Sequence, residues 1–243
     1  MTNYALLNNI DHAELKIAPG HGARFGEAVN QIAVLPNEFE AVQRDYPMLL
    51  MRDEDGALQT VALLGLDRGE NLFVTDERWD ARYIPALMAR GPFLIGLGER
   101  DGVREPMIHI DLDHPRIVSD GGMGHPVFLP HGGNGPVLDA TIEVLRTIHE
   151  GHVVAADCYA AWEALDLIEP IALELALNDR EIYALEDYLT ISQARFADLS
   201  GDELGTLHAR GFLAPALYLI ASLGNISALI DRKVALLAAA EGE

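Results

Sequence analysis

A histidine and an aspartate two residues apart, His109 and Asp111 in IHIDLDHP, have the types and spacing of a divalent-metal pair. On a strand, residues i and i+2 point to one face, so both side chains would reach the same ion. A His-x-Asp pair with a distant third histidine is the ligand set of the non-haem iron facial triad, whose open positions activate oxygen. His125, His131, His149 and His152 are candidates for the third ligand, and His125 completes the expected set. A second reading competes: His109, Asp111 and Asp113 form the wet face of an edge strand, with Ile108, Ile110 and Leu112 facing the core. Nucleophilic chemistry has less to work with. Ser119, Ser192 and Ser222 lie in no nucleophile-elbow pattern, and Cys158, the single cysteine, sits in the apolar stretch VVAADCYAAWEALDLI as a buried, inert thiol. The loop HGGNGP (131–136) has the glycines of an anion-binding turn before a helix. It lacks both the phosphate-loop lysine and the dinucleotide fingerprint, and it reads as a pliable connection.

Binding chemistry concentrates elsewhere. WDARYIPALMARGPF (79–93) gathers Trp79, Tyr83 and Phe93 with Arg82 and Arg90. Such a run anchors a short helix on a sheet, or it lines a surface where rings stack and arginines hold an anion. Residues 68–116 carry seven of the fifteen arginines against nine acids, on a chain whose net charge is −21. A near-neutral face on an acidic body would receive an anionic ligand or the acidic face of another copy; the second fits an assembling protein, for example a homodimer.

The elements that position these residues change character near residue 135. Before it, short apolar runs alternate with turns. MLLMRDEDGALQTVALLGL predicts a hairpin at Asp55-Gly56, and PFLIGLGERDGVREPMIHIDL a second at Asp101-Gly102. NLFV (71–74) predicts a further strand, and residues 82–90 a small helix with Pro85 in its first turn. After residue 135 the spacing is mainly helical. One helix is expected to stop at Gly151 and another to cover 153–168. A hairpin is expected around Asn178-Asp179, and SGDE at 200–203 has capping-box spacing. A last helix from about Pro215 to Ala240 carries the interruption SLGN, which predicts close backbone packing at Gly224 or a bend. The fold class is α+β: a sheet-rich half and a mainly helical half, lobes 1–135 and 136–243, in one unit 1–243.

Charge narrows the partners. A chain at −21 repels phosphate backbones and anionic headgroups, which excludes general nucleic-acid binding. One cysteine permits no intrachain disulfide. The N-terminus has neither the basic region nor the apolar run of a cleavable signal. The apolar stretch FLAPALYLIASLGNISALI has amphipathic spacing and reads as a buried helix, not a membrane span. Together these place the protein in the cytoplasm, with no transmembrane segment.

Ordered residues across the chain carry a resemblance. Pro36, Glu38, Phe39 and Tyr46-Pro47 are followed by Gly65, Asn71, Leu72 and Phe73 in GLDRGENLFV. Trp79, Tyr83, Pro85, Arg90, Pro92 and Phe93 come next, then Gly124, Pro126 and Phe128, then Leu199 and Leu207. Ser222, Leu223, Leu229 and Lys233 close the series. From about residue 25 to 233 the chain resembles the SapC-related bacterial proteins, a family named from a surface-layer locus. After Phe128 it departs from the family pattern, reading LPHGGNGP where an acidic turn is expected. The resemblance implies an accessory protein associated with surface-layer or outer-membrane receptor systems. The reading favoured is therefore a non-enzymatic accessory or assembly protein that binds a protein partner or itself, with no cofactor, through Trp79, Arg82, Tyr83, Arg90 and Phe93. The alternatives are an oxygenase holding iron or another divalent metal on His109, Asp111 and His125, and a binder of a small anionic ligand.

Overall fold

The computed structural model describes residues 3–75, 77–100, 103–118, 122–177 and 182–241. In chain order the elements are β1 (Tyr4–Leu6), β2 (Lys16–Ile17), β3 (Gln31–Val34), α1 (Phe39–Val42), β4 (Met48–Arg52), β5 (Leu58–Leu63), β6 (Val74–Thr75) and β7 (Arg78–Trp79). There follow α2 (Ala86–Ala89), β8 (Phe93–Arg100), β9 (Val103–Asp111), β10 (Ile117–Val118), β11 (His125–Pro126), α3 (Pro136–Glu163), β12 (Ile168–Ala176) and β13 (Ile182–Ile191). The chain closes with α4 (Gln193–Ala197), α5 (Gly201–Ala209), α6 (Leu213–Ser222), a 3-10 turn at Leu223–Asn225 and α7 (Ile226–Glu241). The class is α+β with antiparallel sheets.

Two compact units share this chain. Met1–Glu27, Val74–Trp79 and Ala86–His149 form one; Ala28–Phe73, Asp80–Pro85 and Glu150–Glu243 form the other. Both are discontinuous, so neither coincides with a lobe 1–135 or 136–243.

The first unit holds a sheet in the order β1-β9-β8, a second in the order β10-β2-β11, and the β6-β7 pair. Its core joins Ile17, Phe93, Ile110 and Val127 to Leu138 and Leu145 on the first half of α3. The β8–β9 hairpin forms as its alternation predicts, while the turn expected at Asp101-Gly102 lies outside the described residues. β9 lies between β1 and β8, so it is a central strand and not the edge expected for His109 and Asp111.

A five-stranded sheet in the order β12-β13-β4-β5-β3 organises the second unit. Met48, Leu49 and Leu50 are all fully buried, which requires cover on both faces of β4. The β4–β5 turn is closed by Asp53, whose Oδ1 accepts from the backbone N–H groups of Asp55 (3.0 Å) and Ala57 (2.8 Å). Gly56 takes the left-handed conformation that this turn needs (φ +82°). The β12–β13 hairpin forms with a register shift between Ile171 and Leu173; its turn, around Asn178-Asp179, lies outside the described residues. Ser200 caps α5, with Glu203 reaching back to the Ser200 N–H (2.7 Å), as the capping-box spacing predicts.

Three local expectations are corrected. NLFV is not a strand, since β6 begins only at Val74. The two helices expected on either side of Gly151 are one helix of 28 residues, α3. Gly151 is absent from the left-handed region that ends helices, and it is buried. A Cβ there would lie 2.6 Å from the Leu35 Cβ, so the glycine lets α3 pass the chain at Leu35–Asn37. The expected close packing at Gly224 is likewise displaced. Gly224 is exposed, a Cβ added to it would meet nothing within 4 Å, and the packing falls to its neighbours. Ser222 Oγ accepts from Met48 N–H (2.9 Å), and Asn225 Nδ2 donates to the carbonyls of Gln43 (2.8 Å) and Tyr46 (3.2 Å). The 3-10 turn thus serves the backbone leading into β4.

These two glycines give opposite predictions for one substitution. Gly224→Ala gains up to about 1 kcal/mol, as alanine does at an open helical position. Gly151→Ala loses about 1–3 kcal/mol, because overpacking outweighs the same propensity gain. Urea unfolding of the two variants checks both signs.

Candidate functional site

The residues expected to form a binding surface divide between the two units. Trp79, Arg90 and Phe93 belong to the first, Arg82 and Tyr83 to the second. Trp79 on β7 is half-buried and stands edge-on to the His21 ring, with centroids 5.6 Å apart. Phe93 is buried in the core of its unit. Arg90 donates to the Phe93 carbonyl (3.2 Å), and its buried Nε has no hydrogen-bond partner among the described residues. Arg82 is exposed, and its backbone N–H donates to Asp45 Oδ2 (3.0 Å).

Tyr83 is held in a relay. The Tyr46 hydroxyl donates to the Tyr83 carbonyl (2.5 Å), the Tyr83 hydroxyl donates to Glu38 Oε2 (2.9 Å), and Glu38 Oε1 accepts from Leu35 N–H (2.9 Å). Burial, and then the Glu38 carboxylate, push the Tyr83 phenol above its ordinary range, so it stays protonated as a donor. Burial alone also accounts for Cys158, whose thiol is pushed up to about 12. It is buried, as its apolar surroundings predict.

The expected metal set does not converge. The His109 imidazole lies over Gly96, where a Cβ would meet its ring at 2.7 Å, and its Nδ1 is 3.2 Å from the Met107 carbonyl. Asp111 Oδ1 accepts from Asp113 N–H (3.1 Å) and so caps the turn that follows β9. His125 is exposed on β11. Among the described residues no three His, Cys, Asp or Glu side chains form a group able to hold a metal ion. The glycine loop is a formed turn: Leu129 N–H donates to the Gly133 carbonyl (3.0 Å), and Gly132 N–H donates to the Leu129 carbonyl (3.0 Å).

The sequence reading missed a polar cluster of the first unit. Glu27 is buried, and its carboxylate accepts from Arg116 and from Gly22 N–H (2.7 Å), with His21 Nδ1 at 3.1 Å. Arg116 also donates to the Ala18 carbonyl (3.2 Å), and its guanidinium lies over the Phe25 ring at 4.3 Å. Arg24 lies over the same ring at 4.6 Å and pairs with Glu77. Burial, and then Arg116, hold the His114 imidazole below its ordinary range, while Asp111 acts against them. Because the Glu27 carboxylate is already engaged by three groups, the cluster is a clamp on the 18–27 segment and not a free base. Its one signal in the sequence is GHGARFGE, where charges alternate with glycines; only the fold supplies Arg116.

A second clamp lies in the other unit. Lys233 on α7, 4% exposed, reaches Asp67 (2.6 Å) and Glu70 (2.5 Å), and Tyr183 donates to Asp67 (3.1 Å). Arg232 bonds Asp80 (2.7 Å) and lies over the Phe73 ring at 4.4 Å.

These pairs fix one stripe of the closing helices, in which Ala216, Leu219, Ser222 and Leu229 are fully buried. The rest is open. The run Leu213–Ala240 contains a window of mean hydropathy 1.7 of which 22% is buried, which corrects the expectation of a buried helix. By length and composition alone it suffices to cross a membrane. Leu217, Val234 and Leu236 are 46%, 41% and 49% exposed, and no charge occurs from Val234 to Ala240. The sequence showed the apolar stripe; it could not show that alanines leave the flanking faces uncovered.

A family model described as SapC matches residues 7–229. Comparison with curated proteins and with solved structures gives no match.

Proposed function

We propose that this chain, which belongs to the SapC family, is a non-enzymatic accessory protein that assembles with a second copy of itself through the open face of α7. The observation that carries the reading is the uncharged surface of Val234–Ala240, with Val234 and Leu236 standing out of the fold. On a molecule of net charge −21, a patch free of charge lets two copies meet without like-charge repulsion. Interface cores are depleted of charge in the same way. A two-fold contact uses one patch twice, so a single apolar helix face is enough to build it.

Insertion in a bilayer fits less well. Lys233 lies within the same run and is held by Asp67 and Glu70, while Leu219, Ser222 and Leu229 are packed into the unit. Spanning would strip those contacts and expose a charged side chain to hydrocarbon. The family supports an accessory role beside surface-layer or outer-membrane receptor systems, and the helix supports self-association as the means.

Val234→Glu combined with Leu236→Glu places two carboxylates per copy on the contact. Sedimentation velocity is expected to show dimer affinity weakened more than about tenfold, about 1.4 kcal/mol or more. The unfolding free energy from urea titration should stay within about 0.5 kcal/mol of the unaltered chain once both are monomeric, because these are exposed positions. Unchanged affinity would remove α7 as the contact.

A further inference from the structure

A strand at the edge of a sheet carries backbone N–H and C=O groups that no neighbour satisfies, and proteins guard such edges. Among the described residues the edge strands β1 and β3 are only 3 and 4 residues long, and those of the two smaller sheets 2. β12 is longer, but its register shifts after Ile171. Ser192 N–H donates to the Leu167 carbonyl (2.7 Å), an alternation that turns Pro170, which lacks an N–H, to the outer side of β12. β8 is an edge strand of 8 residues, Phe93–Arg100, with neither a proline nor a register shift.

The ladder identifies its free groups. Leu7 N–H donates to the Ile108 carbonyl (2.9 Å), so the even-numbered residues of β9 turn their backbone groups toward β1 and the odd-numbered ones toward β8. Asp111 N–H accordingly donates to the Pro92 carbonyl (2.9 Å). Leu94 and Gly96, opposite His109 and Met107, therefore bond β9, while Ile95 and Leu97 present their N–H and C=O groups to the outer side. No charged residue occurs from Phe93 to Gly98.

Arg90 stands at the start of this edge. Phe93 is turned outward like Ile95, and its carbonyl accepts from Arg90 Nη1 (3.2 Å), which places the guanidinium on the outer side of β8. Its Nε is buried without a hydrogen-bond partner, and it forms no ion pair among the described residues, although acids outnumber bases 38 to 17 in the chain. An unsatisfied buried donor carries a desolvation cost, and a carboxylate is the strongest acceptor for a guanidinium.

Ile95 packs toward α3, and beside it lies a cavity of about 210 Å³ whose walls include Ile108, Ile142 and Leu145. In a strand added to β8, the side chain opposite Ile95 falls on the same face, next to this apolar space.

We infer that the outer edge of β8 receives an extended peptide running antiparallel to it, with an apolar side chain opposite Ile95 and a carboxylate, terminal or from an acidic residue, at Arg90. An antiparallel strand runs toward Phe93, so its carboxyl end is the one that meets Arg90. The test uses Val234→Glu/Leu236→Glu protein, which keeps the readout independent of self-association through α7. A hexapeptide selected on this protein from a random library is synthesised as the acid and with its terminal or its side-chain carboxylate replaced by an amide. The acid form is expected to slow amide hydrogen exchange at Ile95 and Leu97, and one of the two amide forms to bind about tenfold more weakly. Arg90→Met should weaken the acid form about tenfold and leave that amide form unchanged. Leu97→Pro, tolerated where an edge N–H faces outward, should abolish binding. A selection that yields no binder, a bound peptide that leaves Ile95 and Leu97 exchanging as before, or equal affinity of the acid and both amide forms overturns the inference. Where Arg90→Met fails to fold, the comparison of acid and amide forms decides alone. Exchange slowed by protein concentration without peptide shows a second copy on this edge and overturns the inference too.

Discussion

Arg116→Met lowers the stability of the first unit by about 3 kcal/mol, read as a fall in the urea-unfolding midpoint. Arg116 and Glu27 have side chains only 12% and 3% exposed, so the substitution leaves a buried carboxylate without its guanidinium. Breaking a buried pair from one side costs far more than the intact pair contributes, because the remaining charge keeps its desolvation penalty. Gly22 N–H and His21 stay as partners of Glu27, which holds the loss near the lower end of the usual range. The cation also leaves the Phe25 ring. Two controls separate this from general damage. Adding Glu27→Gln to Arg116→Met should recover a large part of the loss, since the two changes act on one interaction. Arg52→Met, which breaks an exposed pair with Glu163, should change stability by less than about 1 kcal/mol.

Lys233→Met produces a loss of similar size, about 3 kcal/mol, in the second unit. Methionine keeps the length and packing of the stem but leaves Glu70, 13% exposed, without its cation. The pH dependence has a definite sign at both ends. Burial opposes the Lys233 charge, but the hydrogen bonds that it donates to Asp67 and Glu70 outweigh it and raise the ammonium above its ordinary 10.5. That contribution is complete below 10.5 and is lost only as pH rises above it. The hydrogen bond from Lys233 lowers Asp67 below 3.8, so its contribution is complete above 3.8 and is lost as pH falls below it. The difference between wild type and Lys233→Met should therefore be flat across neutral pH and shrink at both extremes. Thermal unfolding of both proteins from acid to alkaline pH measures it.

Local chemistry was legible in the sequence and long-range pairing was not. Asp55-Gly56 announces the β4–β5 turn, which Asp53 closes, and Ser200 with Glu203 announces α5, because each depends on residues within a few positions. Gly151 misled because a glycine that ends a helix and one that lets a helix pass close to another segment look alike. The difference is set by Leu35, far away in the chain. His109 and Asp111 do lie on one strand, but a third ligand depends on where β11 runs, and His125 is carried away from them. The same holds for residues that carry the family resemblance. Glu38, Tyr83, Ser222 and Lys233 are engaged in hydrogen bonds or ion pairs within the fold. They explain why the chain folds as a SapC protein, and they leave the open surface of α7 as the feature from which function is read.

Self-association through that surface is the central claim, and sedimentation equilibrium of the unaltered chain tests it most directly. Across low to high micromolar concentration the account predicts the mass of two chains, with monomer appearing on dilution and on introduction of Val234→Glu and Leu236→Glu. A single-chain mass throughout that range would contradict it.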